Sequence, residues 1–149
     1  MIIFKTGNLF DSECQTLVNT VNCIGVMGKG IAKQYKQRYP DMFNEYKLAC
    51  KNDLLNRGGD IWVYDYIDMY KPKKILCFAT KVQWYYKSQI EWIERGLQSF
   101  VKNYKNWNIT SIAWPKLGCN NGGLNWEEQV KPLMVKYLDD IDIVNEIYE

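Results

Sequence analysis

Residues 18–35, VNTVNCIGVMGKGIAKQY, pass from an apolar run through two asparagines and three glycines into a segment with helical spacing. A strand, a glycine loop and a helix in that order form the repeating unit of an α/β domain. The same alternation runs along the whole chain. Apolar, β-branched runs at 2–7, 15–21, 60–67, 73–80, 110–115 and 142–149 read as strands. Helices are expected over 30–39, stopped by Pro40; over 41–51, with Asp41 as N-cap; over 88–104, with Ser88 near the cap; and over 126–138, where Pro132 belongs in the first turns. A chain of 149 residues is one domain's worth, so 1–149 is expected to fold as a single α/β domain with a largely parallel sheet between helix layers.

In such sheets ligands sit at the carboxyl ends of the strands. Both glycine-rich loops, Gly25–Gly30 and KLGCNNGGLNW at 116–126, fall there, as does FATKVQW at 78–84. Free N–H groups and the positive dipole end at a helix start offer Gly28, Lys29 and Gly30 as donors to an anion. Asparagine and glycine in GCNNGG tolerate left-handed backbone and turn successive amides toward one concavity. Two anion-binding loops suggest a diphosphate. The first loop is not a Walker loop, since GVMGKGIA lacks the required spacing, and it also misses the dinucleotide G-x-G-x-x-G.

Composition removes several chemistries. The chain has no histidine, which disfavours zinc hydrolysis and Ser-His or Cys-His catalysis, and no metal or cofactor is expected. The five cysteines are scattered without C-x-x-C spacing and read as reduced thiols, with Cys23 and Cys119 packed rather than nucleophilic. A net charge of +2 gives no global basic field, so any nucleic-acid contact must be local. There is no apolar h-region at the N-terminus and no stretch of about 18 apolar residues, so a cytoplasmic, membrane-free protein is expected. Trp84, Tyr85 and Tyr86 read first as core or stiffening aromatics. Beside Lys81 and Lys87 they would alternatively grip single-stranded nucleic acid.

Three segments, TGNLFDSECQTLVNTVNCIGVMGKGIAKQYKQRYPDMFNEYKLAC, FATKVQW and SIAWPKLGCNNGGLNWEEQVKPLM, together resemble a macrodomain. The branch is the one that includes the DarG antitoxin and the mammalian terminal ADP-ribose protein glycohydrolase. The resemblance spans nearly the whole chain. It implies a three-layer α/β/α fold with a mixed, largely parallel central sheet and a cleft for ADP-ribose. It places Gly25, Val26, Met27, Gly28, Lys29 and Gly30 around the distal ribose and diphosphate, with Asn22 facing the distal ribose. Leu117, Gly118, Cys119, Asn120, Asn121, Gly122 and Gly123 match the second phosphate loop, Asn8 and Leu9 the pair near adenine, and Lys81 the catalytic lysine. Four positions depart from the pattern: Asn8 where many macrodomains have Asp, Cys23 where Thr is usual, Asn120 in place of a glycine, and Gly122 where the mammalian enzyme has Asp.

The activity implied is an ADP-ribosyl glycohydrolase that frees thymidine in single-stranded DNA of ADP-ribose, reversing a toxin of the DarT type. The chain would be either free-standing and monomeric or part of a longer antitoxin. Alternatives are a hydrolase of glutamate-linked ADP-ribose on protein, an ADP-ribose 1''-phosphate phosphatase and a non-catalytic ADP-ribose reader. Lys81 would act as a neutral amine attacking the anomeric carbon, or as an ammonium stabilising the leaving group. Asn22 would donate and accept at the ribose.

Overall fold

Period-two alternation along the strands sets the layering. A computed structural model describes residues 1–149. Six strands, β1 (Ile2–Lys5), β2 (Thr16–Val21), β3 (Ile61–Asp68), β4 (Lys71–Ala79), β5 (Ser111–Trp114) and β6 (Val144–Tyr148), form one sheet in the order β1-β6-β5-β2-β4-β3. All neighbours are parallel except β3 and β4. Val18, Leu76, Phe78, Ile112 and Trp114 point to one face, under α3 (Ile90–Asn103) and α4 (Lys131–Leu138). Their strand neighbours Leu17, Val21, Ile75, Cys77 and Ala113 point to the other, under α1 (Gly30–Arg38) and α2 (Pro40–Lys51). Because both faces are covered, the central strands read as continuous apolar runs. The result is the expected three-layer α/β/α arrangement with a mixed, largely parallel sheet.

Element ends shift slightly from the sequence expectation. Helix α2 is capped by Tyr39 with Pro40 in its first turn, and Asp41 lies two positions past the cap rather than at it. A proline without an N–H and with fixed φ suits the first helical position, so one residue both stops α1 and starts α2. Helix α3 begins at Ile90 with Gln89 as N-cap, leaving Ser88 outside the cap. The stretch before α4 is a wider π-type turn, Trp126–Val130, and Pro132 falls in the first turn of α4. There Asn125 Oδ1 accepts from the Glu128 amide at 2.8 Å, and Gln129 Oε1 accepts from the Asn125 amide at 2.9 Å.

The chain order creates a crevice. After β2 the chain moves to the β4 side of the sheet, and after β4 it crosses to the β5 side, so the direction of winding reverses between β2 and β5. Strand β2 is bridged to β4 along its whole length, Thr16 to Val21, but to β5 only at Thr16 and Leu17. Beyond those two bridges the Val18 carbonyl accepts from the Tyr35 hydroxyl of α1 at 2.9 Å. The carboxyl end of β2 is therefore open on one side.

Helix α3 is held close to β4 by Gly96, where any Cβ would run into the Phe78 ring. A Gly96→Ala variant is expected to lose about 1–3 kcal/mol of unfolding free energy, the usual cost of overpacking, readable in urea denaturation.

Candidate active site

A cavity of about 380 Å³ occupies this crevice, within the roughly 300–1,000 Å³ range of small-molecule sites. Its floor is Thr20 and Val21 at the open end of β2, and its walls come from the loops after β2, β4 and β5. No aspartate or glutamate lines it, whereas Lys29, Lys81 and Lys116 do.

The first loop is braced by Asn22. Its Oδ1 accepts from the Tyr46 hydroxyl at 2.8 Å and from the Ile24 and Val26 amides at 3.1 and 3.4 Å, while its Nδ2 donates to the Val26 carbonyl at 2.8 Å. The carboxamide is 7% exposed, so most of its bonding capacity holds the loop, with one N–H left over. Met27 is buried as well, its sulfur accepting from Asn19 Nδ2 at 3.7 Å. Between these two anchors Val26 is held out at the rim, 42% exposed. Gly30, Ile31 and Ala32, the first turn of α1, line the cavity. Their N–H groups lack intrahelical acceptors, and no side chain caps that end of the helix.

The second loop crosses from the opposite side. At Gly122 a Cβ would overlap the Gly118 carbonyl and the Ser88 hydroxyl, so only glycine fits, and the Gly122 carbonyl accepts from the Ser88 amide at 3.0 Å. Ser88 Oγ is buried there without a partner. The Leu124 amide closes the loop onto the Gly118 carbonyl at 3.0 Å. Gly30, at φ +59°, lies so near Asn121 that an added Cβ would be 3.1 Å from Nδ2. The two glycine loops thus meet over the cavity.

Lys81 follows β4, with its amide directed at the Val21 carbonyl (3.4 Å) and its carbonyl accepting from the Cys23 thiol (3.6 Å). Its Nζ donates to the Trp84 carbonyl at 3.0 Å. Burial, and then the positive charge of Lys29, hold its pKa below the ordinary lysine value. Burial also pushes the Cys23 thiol up to about 12 and the Cys119 thiol up to about 11, so both stay protonated near neutrality. All five cysteines are unpaired.

Of the residues expected at the site, Asn22, Val26, Gly28, Lys29, Gly30, Lys81, Gly118, Cys119, Asn120, Asn121 and Gly122 line this one cavity. Gly25, Met27, Leu117 and Gly123 belong to the same loops but lie outside the lining: Gly25 packs on Lys47, Met27 and Leu117 are buried, and Gly123 lies along the Lys87 stem. Asn8 and Leu9 are not in the lining, Asn8 capping a short 3-10 turn through the Phe10 amide and Leu9 buried in the core. Thr20, Val21, Ile31, Ala32, Thr80 and Pro115 line the cavity without having been singled out. Val21, Thr80 and Pro115 stand at strand ends, the signal that the strand-end rule carries.

A three-layer α/β/α fold with two glycine loops meeting over one strand-end cavity is that of a macrodomain. The Macro domain family model matches residues 18–133, and the chain belongs to that family. Within it the similarity runs to DarG proteins. The DNA ADP-ribosyl glycohydrolase of Mycobacterium tuberculosis is 42% identical over 146 residues, 97% of this chain and 41% of that protein. The structure of the Thermus aquaticus DarG macrodomain superposes with a TM-score of 0.92 at 39% identity, covering 100% of this chain and 98% of that one. Thermosipho africanus DarTG in complex with ADP-ribose superposes at 0.93 with 38% identity, over 99% of this chain and 41% of its own. The chain thus spans about two-fifths of the length of the curated relatives it matches.

The bracing role of Asn22 has a direct consequence. Asn22→Ala leaves the Ile24 and Val26 amides short of an acceptor, while the Tyr46 hydroxyl keeps the Asn22 backbone carbonyl at 2.8 Å, and about 1–3 kcal/mol of stability is expected to be lost, measured by chemical denaturation without ligand. A residue that only faced a ligand would leave that value unchanged.

Proposed function

We propose that this chain is an ADP-ribosyl glycohydrolase that removes ADP-ribose from thymidine in single-stranded DNA. It works as one monomeric domain in the cytoplasm and reverses the product of a DNA ADP-ribosyltransferase toxin of the DarT type. The observation that carries the proposal is a single cavity with two glycine loops for a diphosphate, a lysine with a lowered pKa, and no carboxylate in its lining. The names of the DarG relatives, and the ADP-ribose bound to the Thermosipho africanus protein, support the same ligand and reaction. Gly122 favours DNA over a glutamate ester. It has no room for a side chain, so the loop carboxylate expected of the protein-acting branch has no seat there.

In this scheme the first turn of α1 and the second loop hold the diphosphate, and Lys29 neutralises part of its charge. The Asn22 carboxamide fixes the first loop and offers its spare N–H to the distal ribose. Lys81 does the chemistry as an amine. With no carboxylate in the cavity lining to retain its proton, and Lys29 opposing it, Lys81 holds more neutral amine than an exposed lysine at the same pH. Its lone pair attacks the anomeric carbon, the bond to thymine breaks, and the base leaves with the electron pair and takes the proton from Nζ. The ribose ring then opens as the ring oxygen takes the remaining proton of Nζ and the nitrogen lone pair forms the C=N bond, giving a neutral Schiff base. Water adds to it, and Lys81 departs as the amine.

Two measurements test this scheme. Titration calorimetry should give micromolar or tighter binding of ADP-ribose, about −8 kcal/mol. Lys81→Ala should keep that affinity within a few-fold while losing most turnover of ADP-ribosyl-thymidine DNA. Equal losses of binding and rate would move Lys81 into the diphosphate cradle.

A third measurement is the pH profile. A neutral-amine nucleophile makes kcat/KM rise with pH, with its midpoint below the lysine reference of 10.5. Lys29→Gln removes the like charge that lowers the Lys81 pKa, so the midpoint should move to higher pH. A rate that falls as pH rises through this range would assign Lys81 the ammonium role.

A further inference from the structure

Beside the cavity, the segment between β4 and α3 carries three consecutive aromatic residues that the core does not absorb. Trp84, Tyr85 and Tyr86 are 48%, 57% and 62% exposed. Their rings contact one another in series, Trp84 to Tyr85 at 5.2 Å edge-on and Tyr85 to Tyr86 at 4.7 Å and 58°. Large aromatic faces left in water cost hydrophobic free energy that burial would recover. The row begins at the reaction centre, because Trp84 lines the cavity and its carbonyl accepts from Lys81 Nζ. It ends at the second loop, because the Lys87 stem lies along Gly123 and the next amide, Ser88, donates to the Gly122 carbonyl.

Charge is segregated in the same place. The chain has 17 acidic residues, yet none falls within 14–40, 69–90 or 95–126, the segments that supply every residue lining the cavity and the whole aromatic row. Lys29, Lys81, Lys87 and Lys116 sit in those segments at the cavity or beside the row. Exposed aromatic faces flanked by cations that form no salt bridge are the kind of surface that single-stranded nucleic acid binds, through base stacking and phosphate contact. A flat acidic or neutral peptide offers nothing to stack on three rings.

We propose that Trp84, Tyr85 and Tyr86 form a stacking ledge that receives the bases flanking the ADP-ribosylated nucleotide, with Lys87 and Lys116 taking strand phosphates. This rests on the glycohydrolase function proposed above and assigns the strand its path: ADP-ribose enters the cavity, and the carrier strand runs out over the ledge. The ledge supplies affinity for the strand, separate from the loops that hold the diphosphate. It makes the enzyme selective for modified strands over the modified nucleoside alone.

The test compares three substrates on the wild type and on the Tyr85→Ala/Tyr86→Ala variant, whose two residues lie outside the cavity lining. A single-stranded oligothymidine with one central ADP-ribosyl-thymidine should show a KM at least ten-fold below that of the ADP-ribosylated nucleoside. The variant should lose roughly ten-fold of this advantage in KM, with kcat on the strand unchanged. Equal KM values for the strand in wild type and variant would overturn the ledge. A peptide with glutamate-linked ADP-ribose is the third substrate, and a variant impaired on the peptide but not on the strand would assign the surface to protein instead. Fluorescence anisotropy with unmodified oligothymidine separates this proposal from the catalytic one. Strand binding that weakens roughly ten-fold in the variant supports the ledge even if the wild type cleaves no modified DNA, which would overturn the glycohydrolase assignment alone. Strand binding indifferent to the two tyrosines overturns the ledge even if cleavage is seen.

Discussion

The site depends on one incomplete strand pairing. Strand β2 is bonded to β4 from end to end but to β5 at only two positions, so its last residues have a neighbour on one side alone. A longer β5 would continue the sheet and fill the space that Thr20 and Val21 now floor. Because the winding of the chain reverses at this seam, the loops after β2 and β5 leave in opposite directions and return over it. The cavity is a consequence of topology before any side chain is chosen.

The side chains then convert an opening into a shaped site, mainly by restricting backbone. Asn22 ties the first loop to α2 through Tyr46, and Met27 pins the loop into the core five residues later. The second loop is fixed by the opposite means, a place where no side chain fits at all. Gly122 lies against Ser88 and Gly118, and the loop closes on its own carbonyls. One loop is held by a polar side chain buried beneath it and the other by close backbone contact, and both line the same space.

The fold was legible in the sequence because every element announced itself locally. Apolar, β-branched runs gave all six strands, the first two of them closed by glycine or asparagine, and helical spacing gave all four helices to within a few residues. The loops were legible for the same reason, since glycine and asparagine cluster only where the backbone needs them. Partition within the loops was not legible. Nothing in GVMGKG says that Met27 turns into the core while Val26 stays at the rim, because that choice is made by Asn19 and by α1 packing across the chain. The bracing role of Asn22 likewise depends on Tyr46, 24 residues away. The cavity walls supplied by Ile31 and Ala32 carry no chemical mark and emerge only when the strands are assembled.

The acid-free segments around the cavity also determine the distance at which another molecule senses this protein. With a net charge of +2, the lysines at the crevice are offset by carboxylates elsewhere on the surface, and at long range the two nearly cancel. At physiological salt the field of an exposed lysine dies within about 8–10 Å in any case. A polyanion therefore approaches unguided and at an ordinary collision rate. Only on arrival does it meet a positive neighbourhood, so local charge governs how the encounter ends more than how often it begins. A polyanion is therefore not drawn in from a distance, and the positive neighbourhood acts on it only where contact has already been made at the crevice.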